Sequence, residues 1–130
     1  MNIIKVPVSP GEVLDKITIL EIKSERISDP AKLINVRREL SLLLETWEQC
    51  VENDETVQRI HAELKTINEA LWVIEDDIRD KELAKEFDQQ FIDLARSVYV
   101  TNDQRANAKK ELNLYLGSEI LEEKSYKDYQ

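Results

Sequence analysis

Residues 55–80, ETVQRIHAELKTINEALWVIEDDIRD, decide the fold. Val57, Ile60, Leu64, Ile67, Leu71, Ile74 and Ile78 follow one another at alternating steps of three and four. An α-helix brings such positions onto one face, because about 3.6 residues make a turn. The seam runs for three heptads, enough for coiled-coil-like packing within a bundle. Asn53-Asp54 breaks the chain just upstream, with Asp54 placed as a cap, and the helix is expected to end near Asp80.

Two further helices are legible before this one. In Ser9-Pro10-Gly11-Glu12, Ser9 can cap, Pro10 suits the first helical position and Glu12 completes a capping box. The helix that follows runs to about Ile27, with Leu14, Ile17, Leu20 and Ile27 as its stripe and Ile19 and Ile22 on a flank. Asp29-Pro30 ends it and starts the next, which reaches about Cys50. That second stripe is Leu33, Val36, Leu40, Leu43 or Leu44, Trp47 and Val51. Ahead of them, NIIKVPV at residues 2–8 is extended in character, with Pro7 limiting any strand ladder.

After the central seam, residues 82–99 read as a fourth helix, with Phe87, Phe91, Leu94 or Ala95, and Val98 on one side. No Gly or Pro separates it from the third, so two helices and one bent helix both fit. Thr101 followed by Gln104 is another capping-box pattern and predicts a fifth helix from 102 to Leu116, stopped by Gly117. The tail, residues 118–130, can dock or fray. The expectation is a single all-α domain over residues 1–130, an antiparallel bundle of four to five helices joined by short connections.

Composition sets the outer limits. Two Gly and three Pro argue against a turn-rich β architecture, while 35% charged residues suit amphipathic helices with wide wet faces. No apolar run approaches the roughly 20 residues of a membrane span, and the N-terminus lacks the pattern of a signal peptide. A cytoplasmic protein is expected. With Cys50 alone there is no internal disulfide framework, and the thiol is expected to be partly buried and inert. A net charge of −9 and a pI near 4.7 argue against nucleic-acid binding and against docking on anionic membranes.

Against that acidity, residues 94–110, LARSVYVTNDQRANAKK, form a basic island: Arg96, Arg105, Lys109 and Lys110 against Asp103. Residues 45–93 just upstream hold fifteen acids and five bases. Asn102, Arg105, Lys109 and Asn113 make one polar stripe on the expected fifth helix, beside the apolar stripe of Ala108, Leu112 and Tyr115. A helix N-terminus presents free N–H groups and partial positive charge, and Arg grips phosphate or carboxylate with two hydrogen bonds. Arg96, Asn102, Arg105 and Lys109 are therefore the candidate anion-binding residues, with Lys16 and Lys23 of the first helix as supporting cations. The alternative is that these bases pair with acids of the third and fourth helices.

Other constellations carry less. Glu21 lies beside an apolar stripe, where a carboxylate needs a partner. Glu75-Asp76-Asp77 is a carboxylate cluster of the kind that holds Mg²⁺ or Ca²⁺, but the Glu-x-x-Glu and Glu-x-x-Asp pairs of all-helical nucleotide pyrophosphohydrolases are not matched: Glu21 and Glu25 are four apart and no Glu-x-x-Asp follows. No metal or cofactor is expected. His61 has no evident orienting acid, and Trp47 and Trp72 are expected to pack the core.

The segments VPVSPGEVLDKITILEIKSERI, DPAKLINVRREL, LWVIEDDIR, FDQQFIDLARSVYVTNDQRANAKKELN and GSEILEEKSY together resemble a family of small bacterial helical proteins of unknown function, found alone or attached to glycosyltransferase and repeat proteins. The resemblance covers nearly the whole chain. It implies a compact helical domain and a link to surface-polysaccharide synthesis, and it brings no catalytic residues with it. Three functions stay open: a non-enzymatic accessory module binding a small anion, with a glycosyltransferase or other protein partner; a small enzyme on an anionic metabolite, with Glu21 or Glu75 as acid/base; and a structural oligomerisation domain, a homodimer being one such state.

Overall fold

The computed structural model describes residues 2–129; Met1 and Gln130, the outermost positions of the expected domain and tail, lie outside them. Among the described residues the chain is all-helical, with four helices: α1 (Pro10–Arg26), α2 (Pro30–Cys50), α3 (Glu55–Ala84) and α4 (Gln89–Tyr115). The first three start where their sequence signals place them. Ser9 accepts a hydrogen bond from the Glu12 N–H, Asp29 from Ala31 and Asp54 from Val57. Residues 2–8 form no strand and are exposed.

Three expectations about the second half are corrected. The central helix runs past Asp80 to Ala84. A separate helix does follow, but it starts at Gln89, because Lys85 takes a left-handed conformation (φ 55°) and Asp88 caps the restart by accepting from the Phe91 N–H. Lys81 pins this joint by pairing with Glu86 and Asp88, both at 3.0 Å. The fifth helix does not exist as a separate element: Thr101 is buried in the interior of α4 and caps nothing. A capping box needs a backbone break, and helical hydrogen bonding here is continuous. Gly117 does end α4 as expected, with φ 67°.

α1 is the shared element: α2, α3 and α4 each pack on it, and α3 packs on α4. Leu14 and Ile17 of α1, Trp47 of α2, Val57, Ile60 and Leu64 of α3, and Ala108 and Leu112 of α4 make the core. The start of α3 meets the end of α4, where Tyr115 donates to Asp54 and Arg59 pairs with Glu111. The two helices thus form a hairpin closed at Lys85–Asp88. α1 passes over that pair, its start on Lys109 and Asn113 of α4 and its middle on His61 and Asn68 of α3.

Asp54 ties two elements at once, capping α3 and accepting from the Tyr115 hydroxyl. The Tyr115 hydroxyl, then the Val57 N–H, hold its carboxyl below the usual aspartate range. Asp54→Ala is expected to lower the melting temperature by about 5 °C, the scale of one lost cap in a domain of this size. Tyr115→Phe should lower it less, since the cap survives. Thermal denaturation followed by circular dichroism checks the order.

Candidate functional site

The two faces of α4 treat the basic island differently. On one face Asn102 and Arg105 line a cleft of about 550 Å³. Ile19 and Ile22 of α1 and Asn68, Leu71, Trp72, Glu75, Asp76 and Arg79 of α3 complete its walls. α1 creates the cleft by crossing the α3/α4 hairpin, so that the hairpin projects beyond it. Trp72, expected in the core, is only half-buried and contributes to the lining.

Under this cleft lies a buried polar network. Asn68 Nδ2 donates to Asp15 Oδ1 and to Thr18 Oγ1, both at 2.9 Å. Thr18 in turn donates to the Asp15 carbonyl at 2.7 Å. Asp15, Thr18 and Asn68 are all buried. Arg105 Nε lies 3.9 Å from Asp15 Oδ1, its side chain still about one-third exposed (32%). A buried carboxylate needs donors or a cation, and Asn68 and Arg105 supply both. Arg105 therefore stands with one end over a buried anion and the rest in the cleft. Arg79, across from it, pairs with Glu75 on its own helix.

The other candidate residues are elsewhere. Lys109 is buried on a different face, held between Glu12 of α1 at 3.0 Å and Glu122 of the tail at 2.9 Å. Burial pulls its pKa down, but Glu122 and Glu12 outweigh that and leave it above the usual lysine value. Arg96 is exposed on α4, with no ion pair among the described residues. Lys16 pairs with Glu39 of α2 at 2.8 Å, and Lys23 is half-buried on α1; neither lines the cleft. Two bases of the island, Arg105 and Lys109, do find acids, but those of α1 and the tail, where the third and fourth helices were the expected source.

Glu21 has the partner its position demands: His61 Nε2 meets its Oε1 at 2.7 Å, which corrects the expectation that His61 lacks an orienting acid. Cys50, expected to be partly buried, is exposed. Among the described residues no group of three or more His, Cys, Asp or Glu is placed to hold a metal ion. Among the described residues no helix is long and apolar enough to cross a membrane.

The buried pairing of Asn68 with Asp15 was not read from the sequence. Their signal was present: Asp15, Thr18 and Ile22 share one side of α1 at steps of three and four, and Asn68 sits one residue past Ile67 at the edge of the seam.

The tail is not helical among its described residues and lies along α4. Besides Glu122 on Lys109, the Tyr129 hydroxyl donates to Asp103 at 2.8 Å, and its ring meets Tyr99 edge-on at 4.9 Å. The Lys109 ammonium, by hydrogen bonding, holds the Glu122 carboxyl below the usual glutamate range. A depressed carboxyl stabilises the docked tail above the ordinary glutamate range, and that stability is lost as the pH falls through the docked value. Acidification should therefore expose residues 118–129 to protease before the helices melt. Glu122→Gln should expose them already at neutral pH, and digestion across a pH series reads the difference.

No characterised protein and no solved structure matches this chain at a significant level. A family model does match, over residues 4–129, which take in all four helices, the cleft and the tail. The chain belongs to DUF6165, a family of unknown function.

Proposed function

We propose that this protein is a binding module whose ligand is a small phosphorylated or carboxylated molecule, held in the cleft between α1, α3 and α4. The observation that carries the reading is that Arg105 and Asn102 line one cleft with Trp72 and Arg79. In this reading Arg105 meets the anionic group, Asn102 hydrogen-bonds beside it and Trp72 offers an apolar face to the rest of the ligand. Arg79 joins when the ligand displaces Glu75 from it. Lys109 is a structural tie in this scheme, and Arg96 takes no part.

Binding is favoured over catalysis by the state of the nearby carboxylates. Glu75 is in an ion pair with Arg79, Asp15 is locked by Asn68, and Glu21 is engaged by His61. A general base needs access to its substrate's proton, and Asp15 and Glu21 are held away from the cleft by these partners, while Glu75 and Asp76 are carboxylates of its lining. A role as an accessory module beside glycan-building enzymes belongs to the same proposal, resting on the resemblance of the sequence alone.

The test is a thermal-shift panel of inorganic phosphate, a dicarboxylate and a nucleotide sugar. A ligand at a hundredfold excess over its Kd stabilises by about 2.7 kcal/mol. Arg105→Ala should abolish the shift while the protein stays folded. No shift with any of the three ligands would refute the anion site.

A further inference from the structure

Residues 72–100 form an arm that the body of the protein does not cover. The half of α3 after Leu71 and the half of α4 before Thr101 contain no buried residue, whereas the other halves supply the core. α1 is too short to reach further: residues 72–84 of α3 alone carry the hairpin about 20 Å onward. Two helices can bury a seam between themselves but not their outer faces, so apolar side chains remain in water. Leu83 is 82% exposed and Phe87 56%, with Val73 and Ile92 also exposed. Phe87 packs edge-on against Phe91 at 5.2 Å, which holds an aromatic pair at the joint.

The same arm is acidic in a specific place. Of its four cations, Arg79, Lys81 and Lys85 are each taken by carboxylates of the arm itself, and Arg96 lies on α4 outside the lining of the groove described next. Asp77 and Asp80 pair with no cation among the described residues. With Glu86 and Asp93 they line a groove of about 650 Å³ between α3 and α4, whose floor includes Leu94. Lys81 also lines it, but Glu86 and Asp88 already neutralise that charge.

We propose that the α3/α4 arm is a docking surface for a basic amphipathic helix of another protein, its cations meeting Asp77, Asp80 and Asp93 and its apolar face covering Leu83 and Phe87. Charge selects this occupant. A second copy docked arm to arm would bring the same unpaired carboxylates against these, and like charges across an interface cost affinity. A small cation would leave the apolar residues in water. A helix carrying lysines beside an apolar stripe satisfies both halves of the surface in one contact. Asp77, Asp80, Leu83, Phe87 and Asp93 are not in the lining of the cleft at Arg105, so anion binding there and docking here fail independently.

The probe is a fluorescent amphipathic peptide of leucine and lysine, with a leucine and glutamate peptide of the same pattern as its counterpart, read by anisotropy. The lysine peptide should bind and the glutamate peptide should not. The double variant Asp77→Lys with Asp80→Lys should weaken binding about tenfold or more, as should Leu83→Ser with Phe87→Ser. Glu45→Lys with Glu48→Lys changes two exposed acids of α2 and the net charge equally, and should weaken it less than about twofold. Equal loss from the α2 variant would mean attraction to net charge alone and would overturn the proposal. So would sizing that shows a dimer dissociated by the Leu83 and Phe87 changes, since the occupant would then be a second copy. Hydrogen exchange on the unmodified protein needs no variant to fold: the peptide should protect residues 77–94 and leave α2 unchanged, and protection elsewhere would count against the arm.

Discussion

Gly11→Ala is expected to destabilise the protein by about 2–4 kcal/mol, although the same change in the first turn of an exposed helix is neutral or stabilising. Gly11 lies where α1 begins, pressed onto α4. A methyl group there would sit 2.6 Å from the Lys109 carbonyl oxygen and 2.9 Å from Asn113 Oδ1. The first of these is backbone inside α4 and cannot swing aside. The start of α1 must therefore lift, and with it goes the buried hydrogen bond from the Gly11 N–H to Asn113 Oδ1, 2.7 Å long. Lys109 would also lose its approach to Glu12. The second glycine is the internal control. Gly117 has φ 67° and open space around its Cβ position, so Gly117→Ala carries only local left-handed strain of about 1 kcal/mol. Urea denaturation of both variants separates close approach from backbone conformation. A Gly11→Ala protein no less stable than Gly117→Ala would contradict the packing described.

Asn68→Ala is expected to cost a similar amount, about 2–4 kcal/mol, because it leaves buried Asp15 without its amide donor as well as opening a gap. Thr18→Val keeps the shape and removes only the hydroxyl, so its cost should be nearer 1 kcal/mol. Asp15→Ala removes the charge that Asn68 and Arg105 serve. Combined with Asn68→Ala it should therefore cost clearly less than the sum of the two single changes. Additive losses in that double-mutant cycle would mean that Asp15 and Asn68 do not act as a unit. Such a unit matters to the cleft above it, because Asp15 holds the inner end of Arg105.

Much of this fold could be read from residue patterns, and the exceptions have physical causes. The seam from Val57 to Ile78 and the caps Ser9, Asp29 and Asp54 rest on periodicity and on local hydrogen bonding, both of which are encoded within a few residues. The α3–α4 joint was harder because Lys85, not a glycine, takes the left-handed conformation, supported by the Lys81 ion pairs across the turn. Thr101 misled for the opposite reason: its capping-box pattern is local, while its burial inside α4 is decided by neighbours distant in sequence. In the candidate site, Arg105 and Asn102 were legible as members of a polar stripe. The split between them and Lys109 was not, because it depends on where α1 crosses and where the tail lies.

The position of α1 also has a consequence for the order in which the chain assembles. The hydrogen bond between Gly11 and Asn113 joins residues 102 apart in sequence. The α3/α4 hairpin, by contrast, closes through the four residues between Ala84 and Gln89. Contacts distant in sequence carry a larger loop-closure cost and form more slowly than local ones. During synthesis α1 emerges first, yet its partner surface on α4 is complete only when residue 113 has left the ribosome. Until then Leu14 and Ile17 can be covered only by α2 and α3, and the part of the core that Ala108 and Leu112 complete stays open to aggregation.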